Sequence, residues 1–182
     1  YAIAEQAKSR GGEVILISGP TYLKAPSGVD LKLCKRADEM NVLVQDHLES
    51  CDVLVMSAAV GDFAPENLEK EKIKKQGDER LLLKLVPTKD ILMEVAKRKS
   101  GKLVVGFAAE SQNLLEAAME KLKRKNLDLI VANDISAPGI GFQSDSNQVT
   151  IIDREENIET LSLKPKREVA DLLLDRILAR IK

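Results

Sequence analysis

Residues 103–133 read LVVGFAAESQNLLEAAMEKLKRKNLDLIVAN and contain two apolar runs of strand length with a helical pattern between them. The two runs are LVVGFAA (103–109) and DLIVAN (128–133), and apolar residues recur at helical spacing over 113–125. A strand, a helix and a second strand in this order form a βαβ unit, whose two strands lie parallel. The stretch therefore predicts an α/β protein with buried parallel strands.

The same alternation continues on both sides of this unit. Apolar runs predict strands at 13–18, 28–34, 52–59 and 81–86. Helical patterns predict a first helix over 1–10, a second capped by Asp38, a third over 88–99 capped by Thr88, and an amphipathic C-terminal helix. QVTII (148–152) and IETLSL (158–163) predict an antiparallel hairpin, and residues 66–80 a polar loop. We predict one domain over 1–182: a Rossmann-like, doubly wound, mostly parallel sheet with a C-terminal antiparallel hairpin.

The beginning of the chain shows only half of a βαβ unit. Tyr1 already belongs to the first predicted helix, and the buried strand 13–18 follows it directly. We therefore expect the N-terminal strand of the sheet to be missing from these 182 residues, and the natural protein to extend upstream.

Composition excludes several classes of protein. The chain has 28 Lys+Arg and 29 Asp+Glu, a formal net charge of -1, which argues against a nucleic-acid partner. No apolar run approaches the roughly 20 residues of a membrane span, and no signal peptide is present. Cys34 and Cys51 form neither a disulfide framework nor a CxxC zinc pair. We expect a cytoplasmic protein with no membrane partner.

Candidate ligand-binding residues follow the predicted strands, because ligands of such sheets bind beyond the carboxyl ends of the strands. Small residues and Asp62 follow the strand at 52–59; they either admit a ligand or pack a helix while Asp62 caps a turn. Four lysines within 70–75 form either a cationic flap over phosphate or a solvated charge run. Lys121 and Lys125 lie one helical turn apart and either bind polyphosphate or complement a helix C-terminus.

Other nucleotide and catalytic motifs are absent from the sequence. It has no GxxxxGK[ST], no GxGxxG and no GxSxG. The single histidine, His47, lies on an apolar helix stripe, which is more typical of a core or interface residue than of a catalyst. Phosphate binding would therefore depend on scattered lysines and on helix starts such as Thr88 to Ile91.

Six segments in order resemble one family: SGPT (18–21), SAAVGDFAP (57–65), KIKK (72–75), VVGFAAE (104–110), RKNLDLIVANDIS (124–136) and GFQSDSN (141–147). The family is phosphopantothenoylcysteine synthetase, or phosphopantothenate–cysteine ligase, the second half of the bacterial bifunctional coenzyme A biosynthesis protein. The resemblance covers essentially the whole chain. It implies that 4′-phosphopantothenate is joined to L-cysteine with CTP, through an acyl-cytidylate intermediate.

The resemblance also implies roles for individual residues. Lys72 would contact the nucleotide phosphate and act in forming or consuming the acyl-cytidylate, and Asp62 would contact CTP through Mg²⁺. Further matched positions imply nucleotide contacts: Met56, Ser57, Ala58, Thr88, Lys89, Asp90, Ile91, Phe107, Lys121 and Lys125. The family commonly reads Asn-Pro-Asp-Ile where this chain has Thr-Lys-Asp-Ile, so Thr88 and Lys89 depart from the pattern. Asn133, Asp134 and Phe142 lie in matched segments without an assigned role.

The family resemblance raises expectations about the rest of the polypeptide. The family carries, before this Tyr, a Gly-rich loop and a segment ending in Ser-Ser-Gly-Lys-Met-Gly, so we expect the 182 residues alone to be a defective ligase. We expect an upstream FMN-dependent phosphopantothenoylcysteine decarboxylase domain, and a homodimer formed through residues 81–86 or 148–163, within a larger oligomer. The alternatives are a nicotinamide-dependent reductase of the same general fold and a non-catalytic nucleotide-binding or dimerisation module.

Overall fold

A computed structural model of the chain describes residues 1–69, 71–74, 80–110, 113–134 and 145–181. The helices are α1 (Ala2–Ser9), α2 (Ala37–Leu48), α3 (Ile91–Arg98), α4 (Leu114–Arg124) and α5 (Lys166–Leu178). The strands are β1 (Ile15–Ser18), β2 (Asp30–Leu33), β3 (Val53–Met56), β4 (Phe63–Pro65), β5 (Leu85–Pro87), β6 (Leu103–Glu110), β7 (Leu129–Asp134), β8 (Ser146–Asp153) and β9 (Ile158–Pro165).

The predicted βαβ unit, β6–α4–β7, lies at the centre of a five-stranded sheet of order β3-β6-β7-β8-β9. Strands β3, β6 and β7 are parallel, whereas β8 runs antiparallel to both β7 and β9. Four of the five strands therefore point the same way. The α/β class, the mostly parallel sheet and the C-terminal hairpin are confirmed.

The hydrophobic core lies on both faces of this sheet, because successive side chains of a strand point to opposite faces. Val104 packs with apolar residues of α2, α3 and α4, including Val95 and Leu122. Its neighbour Val105, which is fully buried, packs with α5 residues such as Leu173. Helices thus cover both faces, as in a doubly wound fold. Among the described residues, no helix has the length and apolar character that a membrane crossing requires.

Strand β3 is less buried than its sequence predicts. The apolar run 52–59 predicts a strand buried on both faces, but each residue of Val53–Met56 is only half-buried. The reason is that β3 pairs with β6 on one edge and with no other described strand, while β1 pairs only with β2 in a separate parallel ribbon. Both β1 and β3 therefore keep an unpaired edge within the described part of the chain.

Helix α2 begins before its predicted cap. Helix α2 follows Arg36, and Asp38, the predicted cap, instead binds the Arg36 guanidinium with an Nε–Oδ1 distance of 2.9 Å. Glu39 accepts the free N–H groups before the helix, from Lys35 at 2.7 Å and Arg36 at 3.2 Å. Because a residue one turn inside the helix accepts these N–H groups, the helix begins before Asp38.

The sequence predicts one strand over residues 81–86, but only residues 85 and 86 of this range lie in a strand. Strand β5 begins at Leu85 and pairs antiparallel with β4, a strand that the sequence patterns missed. The pairing extends one step further, from Glu66 N–H to the Lys84 carbonyl at 2.9 Å. Residues 80–83 have no strand partner among the described residues, because β4 is only three residues long. We call residues 63–69, 71–74 and 80–87 the arm.

Candidate functional site

An open cleft of about 540 Å³ lies where β3, β6 and β7 end. Its volume falls in the range of small-molecule sites, about 300–1,000 Å³. Its position is the one where open α/β sheets bind ligands, beyond the carboxyl ends of the strands. One side is formed by the residues after β3, the start of α3 and helix α4; the other is formed by the starts of α1 and α5.

The cleft brings together most of the residues that the sequence singled out. Met56, Ser57, Ala58, Asp62, Thr88, Lys89, Asp90, Ile91, Phe107, Lys121 and Lys125 all line it. They come from four separate segments, so their convergence is a property of the fold.

Lys72 is not among the lining residues; it is exposed in the segment 71–74 of the arm. Its catalytic role stays a prediction. Lys70, Lys75 and Phe142 lie outside the described residues, as does the side chain of Asp134. His47 does not line the cleft, which agrees with its interpretation as a packing residue.

Thr88 fixes the floor of the cleft and is not the cap of α3. Its hydroxyl donates to the Gly61 carbonyl at 2.6 Å, and its backbone N–H donates to the Asp62 carbonyl at 2.8 Å. These two hydrogen bonds tie the segment that enters α3 to the small residues after β3. They fix the backbone of Asp62, an exposed residue that lines the cleft.

Asp90 is the true cap of α3 and also half of an ion pair. Its Oδ1 accepts the Met93 N–H at 3.2 Å, and its Oδ2 lies 2.9 Å from the Lys125 Nζ. Burial raises the pKa of Asp90, but the hydrogen bonds from Lys125 and Met93 outweigh it, so that its pKa is below the ordinary value. The carboxylate is therefore ionised at neutral pH and balances the nearly buried Lys125 ammonium.

The cleft has a surplus of positive charge although the chain as a whole does not. Lys121 donates from Nζ to the Phe107 carbonyl at 2.6 Å, one helical turn before Lys125. Among the described residues, four lysines line the cleft beside two aspartates, Asp62 and Asp90. The lysines are Lys89, Lys121, Lys125 and Lys166. This concentration of basic side chains suits an anionic ligand, since a cleft lined mainly by one sign of charge focuses the field.

Sequence reasoning missed polar residues on the α5 side of the cleft. Asn147 and Lys166 line it together with Asn133, which was matched without a role. Asn133 stands at the end of β7, and Asn147 lies near the start of β8. Because β8 is antiparallel to β7, its start lies at the same sheet edge as the end of β7. Asn147 directly precedes the predicted hairpin strand 148–152, so the direction of that strand could have located it.

Comparison with known proteins gives the family. Residues 1–181 match the family described as DNA/pantothenate metabolism flavoprotein C-terminal domain. The chain belongs to this family. The expectation drawn from the six sequence segments is thereby confirmed at the level of the family.

Similar proteins in this family are longer than the chain. The coenzyme A biosynthesis bifunctional protein CoaBC of Bacillus subtilis (strain 168) is 41% identical over 180 residues, 98% of this chain and 44% of the relative. A cysteine/cysteine sulfinic acid decarboxylase from an unknown prokaryotic organism is 40% identical over 183 residues, 99% of this chain and 50% of the relative. The chain thus spans about half the length of these relatives.

A solved structure supports the fold. The crystal structure of the C-terminal domain of CoaBC is 36% identical and superposes with a TM-score of 0.82, covering 97% of this chain and 79% of that one. The described residues of this family member hold no group of three or more His, Cys, Asp or Glu that could bind a metal ion. Mg²⁺ in the cleft would therefore need phosphate oxygens and water beside a carboxylate such as Asp62, which is the usual way Mg²⁺ is bound with a nucleotide.

Proposed function

We propose that the chain is the ligase part of a coenzyme A biosynthesis protein, joining 4′-phosphopantothenate to L-cysteine at the expense of CTP. The observation that carries this proposal is the lysine-rich cleft at the strand ends. It is supported by 41% identity to a CoaBC protein over 98% of the chain. The choice of CTP over ATP comes from the resemblance to the bacterial family.

The first step is attack of the phosphopantothenate carboxylate on the α-phosphorus of CTP. A new oxygen–phosphorus bond forms, the α–β phosphoanhydride bond breaks, and pyrophosphate leaves. The reaction brings together three anionic groups: the carboxylate and the phosphate of phosphopantothenate, and the triphosphate of CTP. Charge neutralisation and alignment are therefore the main requirements. We expect Lys121, in the last turn of α4, and Lys125, its C-cap residue, to neutralise the triphosphate together with Lys89, which precedes the cap of α3.

The second step is attack of the cysteine amine on the acyl carbon of the acyl-cytidylate. The amide bond forms, CMP leaves with the bonding electrons, and the amine proton passes to solvent. No protein nucleophile takes part in either step. Bound Mg²⁺ would supply further charge neutralisation at the phosphates, beside Asp62. Lys72 would reach the reacting phosphate from the arm.

The test is pyrophosphate release with phosphopantothenate, cysteine and Mg²⁺, measured with CTP and with ATP. The polypeptide should be assayed as the organism makes it, beside residues 1–182 alone. We expect CTP-dependent release that requires phosphopantothenate. NADPH oxidation without pyrophosphate would favour a reductase, and CTP binding without turnover would favour a non-catalytic module. Either result overturns the ligase proposal.

We further propose an FMN-dependent decarboxylase half in the longer polypeptide, as the resemblance to the bifunctional family implies. We also propose that another parallel strand of the longer polypeptide lies between β1 and β3. The half-buried apolar residues of β3 and the unpaired edges of β1 and β3 support the strand. So does the buried Nε2 of Gln6 in α1, which has no hydrogen-bond partner among the described residues. Hydrogen exchange of the β3 amides should slow in the longer polypeptide; equal exchange rates would argue against the strand.

We also propose that the arm packs against the arm of a second copy of the chain. Seven large apolar side chains are exposed there: Phe63, Leu68, Ile73, Leu81, Leu82, Leu83 and Leu85. Leu82 is 92% exposed. A group of large exposed apolar side chains within one part of the chain is typical of an interaction site. The arm also carries both signs of charge, for example in the 2.8 Å pair of Lys84 with Glu66, which suits a self-complementary, two-fold interface.

Sedimentation of single variants separates the two candidate interfaces. Leu82→Glu should convert the dimer to a monomer, because an apolar contact is replaced by an unpaired charge. The matched control is Leu163→Glu, on the exposed hairpin strand β9, where the leucine is 55% exposed. If Leu163→Glu dissociates the dimer and Leu82→Glu does not, the hairpin forms the interface and the arm does not.

A further inference from the structure

The ion pair between Asp90 and Lys125 lines the cleft in which we propose that the nucleoside triphosphate binds. The Lys125 Nζ lies 2.9 Å from Oδ2 and 3.1 Å from Oδ1 of Asp90. The lysine side chain is 12% exposed and the aspartate side chain 41%. The carboxylate is therefore the more accessible member of the pair, and it occupies part of the ammonium surface that a phosphate would use.

Asp90 is also held in place from its own helix. Its Oδ1 accepts the Met93 N–H at 3.2 Å as the cap of α3. Turning the carboxylate away from Lys125 would therefore disturb the cap. A phosphate oxygen that joins Asp90 on the same ammonium lies roughly 5 Å from the carboxylate, since both acceptors sit about 3 Å from Nζ. Two negative charges at that distance repel each other.

We propose that Asp90 is a positioning residue that holds Lys125 in the cleft and competes with the phosphate chain for its ammonium group, and so sets the affinity for the nucleoside triphosphate. The inference rests on the proposed function. In the empty cleft Asp90 stabilises a nearly buried lysine. After the first step, the same carboxylate favours release of pyrophosphate, because it reoccupies the ammonium group.

Replacing Asp90 with asparagine or serine separates its effect on Lys125 from its role as the cap of α3. Asn and Ser are as good as Asp at a helix N-cap, so Asp90→Asn and Asp90→Ser keep the cap and remove the charge. The matched control is Glu94→Gln on the same helix. Glu94 also pairs with a lysine, Lys97, at 2.6 Å, but neither residue lines the cleft.

The experiment is calorimetric titration of the polypeptide with CTP and with inorganic tripolyphosphate, without Mg²⁺. We expect Asp90→Asn and Asp90→Ser to bind both about fourfold more tightly than wild type, the effect of one unit charge at about 5 Å in a solvent-exposed setting. Glu94→Gln should change the affinity much less. In a Lys125→Met background, Asp90→Asn should have no more effect than Glu94→Gln.

In pyrophosphate release, Asp90→Asn should lower the KM for CTP, and thermal melting checks that each variant is folded. If wild type binds CTP and Asp90→Asn binds it equally or more weakly, the competition is refuted and the ligase proposal stands. A gain of about fourfold that persists without Lys125 also refutes the role assigned to Asp90. If wild type binds neither CTP nor tripolyphosphate and also releases no pyrophosphate from CTP in the presence of Mg²⁺, the proposed function itself fails.

Discussion

Replacing Gly106 with alanine tests how the core supports the cleft. Gly106 lies in the centre of β6, with Met56 of β3 on one side and Ile130 of β7 on the other. A Cβ atom at this position would lie 2.5 Å from the Cδ1 of Leu127. Leu127 is 1% exposed, so its side chain could move only within the packed core. Gly106→Ala therefore overpacks the core and forces either Leu127 or the strand to move.

The expected cost is about 1–3 kcal/mol in the free energy of unfolding, the usual range for an extra methyl group in a packed core. For a protein of this size, 2 kcal/mol corresponds to a fall in Tm of roughly 4–8 °C. The displacement should also reach the cleft. Leu127 donates its N–H to the Leu122 carbonyl at 3.0 Å, at the end of α4, and this helix carries Lys121 and Lys125. We therefore expect weaker CTP binding as well.

Urea unfolding measures the cost, and two variants control it. Gly19→Ala should stay within about 0.5 kcal/mol of wild type, because no atom lies within 4 Å of the added Cβ. Leu127→Ala alone should cost about 2–5 kcal/mol. The double variant Gly106→Ala/Leu127→Ala should be more stable than the sum of the single effects by about 1–2 kcal/mol. Wild-type stability of Gly106→Ala, or strict additivity, would refute the steric explanation.

Three further predictions concern charge. Lys121→Met should raise the KM for CTP about tenfold with little change in Tm; a change in Tm alone would mean that the lysine only complements the helix end. Lys72→Gln should lower turnover without unfolding the protein, and wild-type turnover would refute its catalytic role. Burial raises the pKa of Asp153, but hydrogen bonds from Asn157 and Arg180 outweigh it and hold its pKa below the ordinary value. Its stabilisation is therefore present above about pH 4 and lost at lower pH, so urea unfolding of Asp153→Asn and wild type should converge as the pH falls below 4.

The parts of the fold that local patterns encode were predictable from the sequence. The βαβ unit, the hairpin and the terminal helices follow from apolar spacing over fewer than about 20 residues. The start of α3 could not be predicted in this way, because Thr88 and Asp90 are both good caps and stand two residues apart. What decides between them is the hydrogen bond of the Thr88 hydroxyl to the Gly61 carbonyl, 27 residues away in sequence. That contact exists only when β4 and β5 are paired.

The candidate site could likewise be predicted only where local spacing determines it. The spacing of Lys121 and Lys125 indicates that they share a helix face, and the structure places both in the cleft. The spacing does not indicate that Lys125 pairs with Asp90, 35 residues earlier, because this pair depends on how α3 and α4 pack on the sheet. Asn147 was missed for a related reason. It ends the matched segment GFQSDSN, but its place in the cleft follows from the direction of β8.

The direction of the strands also explains how a chain of net charge -1 forms a basic cleft. At the opposite sheet edge, where β7 begins and β8 ends, basic side chains meet carboxylates. Asp128 pairs with Lys99 at 2.6 Å and with Arg154 at 2.9 Å, and Asp153 pairs with Arg180 at 2.7 Å. Charges that are paired within about 3 Å contribute less field at the distance of the cleft than unpaired charges do, especially at physiological salt, where the screening length is about 8 Å. Among the described lining residues, four lysines lie at the strand ends beside two aspartates, so the basic character is local and total composition does not reveal it.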